Sequence, residues 1–199
     1  MIKRVVIIHG IGGLSREPYF SHLKSFCEGL GLKVIMPDLG GYKQNINYNT
    51  WATYFDENIR GILNQETLII AQSLGTAFSV KYLTENNLSV GAYISCAGAY
   101  KFDEMRPTAP ERTKLFAPVA ETFKTSPEQF EQFKNLGFPK YSLFSDNDLF
   151  FEQDNLEGYS KTIGSHPMLI KGKGHFCYDD GVVELTELEE LVSSIMRNN

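Results

Sequence analysis

Three stretches of this sequence carry side chains with the chemistry of nucleophilic catalysis. A serine lies in ETLIIAQSLGTAFSV (residues 66–80), acids lie in SLFSDNDLFF (residues 142–151), and a histidine lies in KGKGHFCYDD (residues 171–180). A hydroxyl becomes an effective nucleophile when an imidazole takes its proton, and a carboxylate on the other ring nitrogen fixes the imidazole tautomer. Ser73 has Ala71 and Gly75 two residues to either side. A sharp strand-to-helix turn needs such small neighbours, because backbones approach closely there. The usual pattern has glycine in the first place, so Ala71 departs from it by one methyl. Taken alone, Ser73 also reads as a helix N-cap. Asp146 and Asp148 close an apolar run, where a carboxylate can orient an imidazole and where turn formers also gather. His175 follows an apolar run in a glycine-rich loop that a buried structural histidine would not need. By contrast, His22 falls on the polar face of an amphipathic segment, His166 precedes Pro167, and His9 tips the first apolar run.

The stretch IIHGIGGLS (residues 7–15) raises a different possibility, a dinucleotide-binding turn. That fingerprint wants Gly or Ala three residues after its second glycine, where this chain has Ser15. Residues 15–18, Ser-Arg-Glu-Pro, then separate the glycines from the next helix, and Pro18 suits that helix's first turn. The glycines therefore do not sit on a helix N-terminus, as a pyrophosphate would require. The other use of such a loop is to aim backbone N–H groups at a developing negative charge, an oxyanion hole.

These residues need a scaffold that brings them to one edge. Strand-like runs cover Val5–Ile8, Lys33–Met36, Thr67–Ala71, Gly91–Ser95, Tyr141–Phe144 and Met168–Ile170. Amphipathic segments alternate with them at Tyr19–Leu30, Thr50–Leu63, Ala77–Asn86, Pro127–Asn135, Glu152–Ile163 and Val183–Met196. Apolar, non-alternating strands separated by helices predict a mostly parallel sheet with helices on both faces. Sites in such sheets lie at the carboxyl ends of the strands, which is where all four stretches fall. The one long irregular segment is Ala97–Thr125, with Pro107, Pro110 and Pro118; it is placed either to cover a pocket or to run as a surface excursion.

Composition narrows the class. The 199 residues are 42% apolar, enough for one domain spanning 1–199. The balance of 24 acidic against 19 basic residues, with no basic block, excludes a nucleic-acid surface. The apolar runs are far shorter than the ~20 residues of a membrane span, and the N-terminus lacks the pattern of a signal peptide. Cys27, Cys96 and Cys177 are odd in number and lack zinc spacing, which fits reduced thiols in the cytoplasm.

The chain order Ser73, then acid, then His175 is that expected of the α/β-hydrolase fold. The HGIGG loop, the AQSLG elbow, the S-x-x-D-x-x-F acid turn and the GKGHF turn resemble a compact subgroup of that superfamily. These are the retinoblastoma-binding-protein-nine-like, or YdeN-type, serine hydrolases. The resemblance runs from the first strand to the last helix and is weakest over Ala97–Thr125. It implies a single-domain α/β-hydrolase fold with no large cap domain. It also implies Ser73 as nucleophile, His175 as base and Asp148 as the acid, Asp146 being a turn residue. Backbone N–H groups of Leu74 and Ile11 would form the oxyanion hole. No metal or organic cofactor is implied. The implied substrate is a small carboxylic ester, with amides or peptides as the alternative; a protein partner is not indicated. The subgroup's elbow usually reads G-H-S-x-G, so Gln72 departs from it as Ala71 does. That departure keeps a second reading open, a catalytically weak binding module on the same fold. Tyr100, Phe102 and Phe116 are candidates either for an apolar pocket or for packing beneath the variable segment.

Overall fold

A computed structural model describes residues 1–14, 17–40, 46–101, 104–106 and 110–198. Six strands form one sheet: β1 (Arg4–Ile8), β2 (Lys33–Ile35), β3 (Thr67–Gln72), β4 (Ala92–Cys96), β5 (Lys140–Ser145) and β6 (His166–Ile170). Their order is β2-β1-β3-β4-β5-β6, and every pairing among them is parallel. Successive strand residues point to opposite faces. Val6, Ile8 and Ile69 accordingly enter one apolar cluster, while Val5, Ile7 and Ile70 enter another.

Among the described residues, seven α-helices cover the two faces. The first cluster is roofed by α2 (Tyr48–Asn58), α3 (Leu74–Glu85), α5 (Pro127–Asn135) and α6 (Gln153–Ile163). The second is closed by α1 (Tyr19–Gly29) and α7 (Thr186–Asn198). Local chemistry sets several ends. The Asn47 side chain accepts from the Thr50 N–H, so α2 starts earlier than its apolar pattern suggests. It also stops earlier than the expected Leu63, at Asn58, and a short 3-10 turn (Arg60–Ile62) follows. A capping box of Ser126 and Gln129 starts α5, and Gly164 in the left-handed region ends α6.

The segment Ala97–Thr125 differs from its expected irregular course. It contains α4 (Pro110–Thr122), with Pro110 in the first position and Pro118 inside the helix. Proline is well suited to a first turn, and an internal proline removes one helical hydrogen bond without abolishing the helix. Phe102 lies outside the described residues. Among the described residues only α4 and α5 intervene between β4 and β5, and no large cap is present. No helix among them is long and apolar enough to cross a membrane.

Candidate active site

Parallel strands deliver their following loops to one edge of the sheet. The register pairs Ile8 with Ala71, Ala71 with Ser95, Cys96 with Leu143, and Ser145 with Ile170. The residues after β1, β3, β5 and β6 therefore converge.

Ser73 lies between β3 and α3 with φ 49° and ψ −118°, a left-handed conformation that non-glycine residues rarely adopt. Its N–H donates to the Cys96 carbonyl at 2.9 Å, and its carbonyl accepts from the Thr76 N–H at 2.9 Å. The strain is thus held from both sides, and the side chain makes no capping bond to α3. The turn is tight because a neighbour lacks a side chain. A Cβ on Gly75 would lie 2.7 Å from the Ile8 carbonyl oxygen and 2.8 Å from that of His9. Both obstacles are backbone. We expect Gly75→Ala to cost about 1–3 kcal/mol, as overpacking does. At this chain length each kcal/mol lowers Tm by roughly 2–4 °C. Thermal denaturation checks this, and an unchanged Tm would mean that β1 and α3 are not in such close contact.

Ser73 Oγ lies 2.8 Å from His175 Nε2, and His175 Nδ1 lies 2.7 Å from Asp148 Oδ2. All three residues are buried, Asp148 to 1% exposure. The other Asp148 oxygen accepts from the N–H groups of Phe150 (2.7 Å) and Phe151 (3.1 Å). The ring of Phe150 also lies 4.7 Å from that of His175. Burial disfavours a charged imidazole. The charge and hydrogen bond of Asp148 oppose it, with added contributions from Asp180 and Glu17, and the net His175 pKa is raised above its ordinary 6.5.

The histidine loop is lashed to the acid turn. Three consecutive N–H groups, of Gly172, Lys173 and Gly174, donate to Asp146 Oδ1 (2.8 Å), Ser145 Oγ (2.9 Å) and Asn147 Oδ1 (2.8 Å). Asp146 therefore braces the loop while Asp148 bonds the ring. Beyond His175, Asp180 Oδ2 accepts from the N–H groups of His175 (2.8 Å) and Cys177 (3.1 Å). From the elbow, Gln72 Nε2 donates to the His175 carbonyl at 3.0 Å. Its Oε1 is buried without a hydrogen-bond partner among the described residues. The sequence reading missed these braces, although Asp180 and Gln72 both stand inside the stretches it singled out.

The glycine loop after β1 forms a turn in which the Gly13 N–H donates to the Gly10 carbonyl (3.3 Å). His9 pins the same carbonyl from below through Nδ1 (2.6 Å), while its Nε2 accepts from the Leu39 N–H (2.8 Å). One nitrogen donates and the other accepts, so the ring is neutral, and burial correspondingly lowers its pKa. Leu74 is the first residue of α3, and its N–H has no acceptor within the helix. Ile11 and Leu74 both border a cleft of about 50 Å³ that also exposes Ser73 and His175. Phe116, Met105, Phe150 and Phe151 give it apolar walls. Tyr100 is not among its lining residues; its ring packs 5.4 Å from that of Phe130 elsewhere.

Elsewhere, the one group among the described residues whose donor atoms are close enough to share a metal ion is His22, Glu184 and Glu189. None of them borders the cleft, and His22 Nδ1 is bonded to Glu189 at 2.6 Å. Cys27, Cys96 and Cys177 are free and buried, and burial pushes each thiol pKa up to about 12.

Comparison with known proteins gives one family and many structures. The sequence profile of the alpha/beta hydrolase fold family matches residues 3–118. The chain is similar to the ydeN gene product of Bacillus subtilis, with TM-score 0.76 and 18% identity over 98% of this chain and 99% of that one. It is similar to the carboxylesterase CesB (YbfK) of Bacillus subtilis, with TM-score 0.66 and 14% identity over 100% and 85% of the two chains. A thioesterase domain from the curacin biosynthetic pathway gives TM-score 0.65 and 14% identity over 96% and 91%. At these identities the likeness concerns the fold. No curated protein sequence matches the chain.

Proposed function

Because the chain belongs to the alpha/beta hydrolase fold family, we propose that it is a serine hydrolase of small carboxylic esters, acting within one domain over residues 1–199, with amides or peptides as secondary substrates. The observation that carries this reading is the buried relay from Ser73 Oγ through His175 to Asp148, at 2.8 and 2.7 Å. His175 Nε2 takes the Ser73 proton as Oγ attacks the ester carbonyl. Negative charge on the carbonyl oxygen is met by the N–H groups of Leu74 and Ile11. The carbon–oxygen bond to the alcohol then breaks, and His175 returns the proton to the departing oxygen. Water repeats the sequence on the acyl-serine, releasing the acid and restoring Ser73. Asp148 accepts from His175 Nδ1 throughout, keeping that nitrogen protonated and Nε2 free to accept. The carboxylesterase and the thioesterase domain that share the fold agree with acyl transfer.

The test is covalent. A fluorophosphonate probe should label the folded protein at Ser73, and Ser73→Ala should take no label. Labelling that survives in Ser73→Ala, or that is absent from folded wild type, removes the hydrolase reading and favours a binding module on the same fold.

A further inference from the structure

Helix α4 separates two cavities. Phe116 and Ala120, four residues apart and so on one face of the helix, border the catalytic cleft. Ala117, Ala120 and Glu121 border a second cavity of about 360 Å³. Among the described residues Ala120 is the one that borders both, so its methyl group stands on the partition. The second cavity has an apolar interior: Ala77 on α3, Ala99 after β4, and the buried rings of Phe123 and Phe130. Exposed Lys101, Glu104 and Lys124 stand at its border. The cleft at Ser73 has room for only a few heavy atoms, while a pocket that holds a whole small molecule is usually several hundred Å³.

The two ends of an ester have distinct places here. The departing oxygen must reach His175 Nε2 to take its proton, so the alcohol part lies toward the acid turn and the histidine loop. No described residue of either segment lines the second cavity. Its lining comes instead from the side of α3, where Ala77 stands one turn beyond Leu74. We propose that the second cavity receives the apolar tail of a medium-chain acyl group, and that Ala120 sets the chain length admitted past α4. This rests on the serine-hydrolase reading. The tail stays attached to the carbonyl carbon as Ser73 Oγ–C forms and C–O to the alcohol breaks, so it occupies the same cavity in the acyl-enzyme. Each buried methylene favours the longer chain about 4-fold.

The test holds the leaving group constant. kcat/KM is measured for p-nitrophenyl octanoate and p-nitrophenyl acetate, and the ratio of the two is compared between wild type, Ala120→Trp and Ala117→Trp. The first variant fills the partition. The second enters the larger cavity from an exposed position on α4 and does not border the cleft. The octanoate-to-acetate ratio should fall at least ~10-fold in each. Circular dichroism checks folding, and if Ala120→Trp does not fold, Ala117→Trp decides. An unchanged ratio in the folded variants overturns the subsite while leaving the hydrolase intact. If wild type cleaves neither ester and takes no fluorophosphonate, the hydrolase reading itself fails and the subsite falls with it.

Discussion

Replacing Asp148 with asparagine should lower turnover of p-nitrophenyl acetate at least ~10²-fold while leaving the fold intact. The introduced carboxamide can still accept the Phe150 and Phe151 N–H groups through its carbonyl oxygen, the role Asp148 Oδ1 fills now. Its NH₂ group then faces His175 Nδ1, where Oδ2 now accepts. The imidazole responds by carrying its proton on Nε2, and Ser73 loses its base. The same exchange costs of order 10⁴ in a well-studied protease. Asp146 is the control. Its carboxylate bonds the Gly172 N–H, and asparagine keeps an acceptor for that bond. Asp146→Asn should therefore cost less than ~10-fold. Steady-state kinetics on both purified variants, with circular dichroism, distinguish the roles. A crippled Asp146→Asn beside an active Asp148→Asn would move the acid by two residues and overturn the site.

Ester hydrolysis should rise along a basic limb whose midpoint lies above pH ~6.5, the value for unperturbed histidine. The direction follows from the imidazole's surroundings. Burial would pull the midpoint down, but Asp148, with Asp180 and Glu17, holds the His175 pKa above the ordinary value. The base works only when neutral, so a raised pKa carries the limb to higher pH. At pH 5 fewer than one molecule in ~30 would hold a neutral base, and kcat/KM should fall at least ~30-fold below its plateau. The same shift has a stability sign. The interaction of protonated His175 with its acids stabilises the fold fully below pH ~6.5, and the contribution is lost as pH rises through the folded-state pKa. A profile of kcat/KM from pH 5 to 9, with folding verified throughout, measures the limb. His22→Gln and His166→Gln should leave its midpoint in place. Equal rates at pH 5 and pH 8 would rule out His175 as the base.

Much of this arrangement was legible because it is local. Small residues around Ser73 mark a tight turn, and alternation of strands with helices fixes a parallel sheet and its working edge. The register of the acid was not legible from composition or periodicity; it came from the resemblance of S-x-x-D, and the geometry brings Asp148 to the ring and Asp146 to the loop. What escaped was long-range or carried by backbone. The bonds from Gly172, Lys173 and Gly174 span 26 to 28 residues, and nothing periodic announces them. Gln72 reads as a departure from a motif, yet its amide reaches the His175 carbonyl across 103 positions. Helix α4 was hidden by its prolines, which signal irregular chain unless one happens to occupy a first turn.

From β4 onward, each strand pairs with the one synthesised just before it, so the sheet can widen outward as the ribosome proceeds. The serine turn is bonded to the end of β4, and it can be complete while the rest of the chain is still unmade. Its base arrives 102 residues later, on the loop that leaves the outermost strand. On the serine-hydrolase reading, a chain whose last strand is still unmade has the Ser73 hydroxyl without its proton acceptor and is chemically silent. On the same reading, turnover would begin only when the edge strand docks, so activity would report that folding has reached the far side of the sheet.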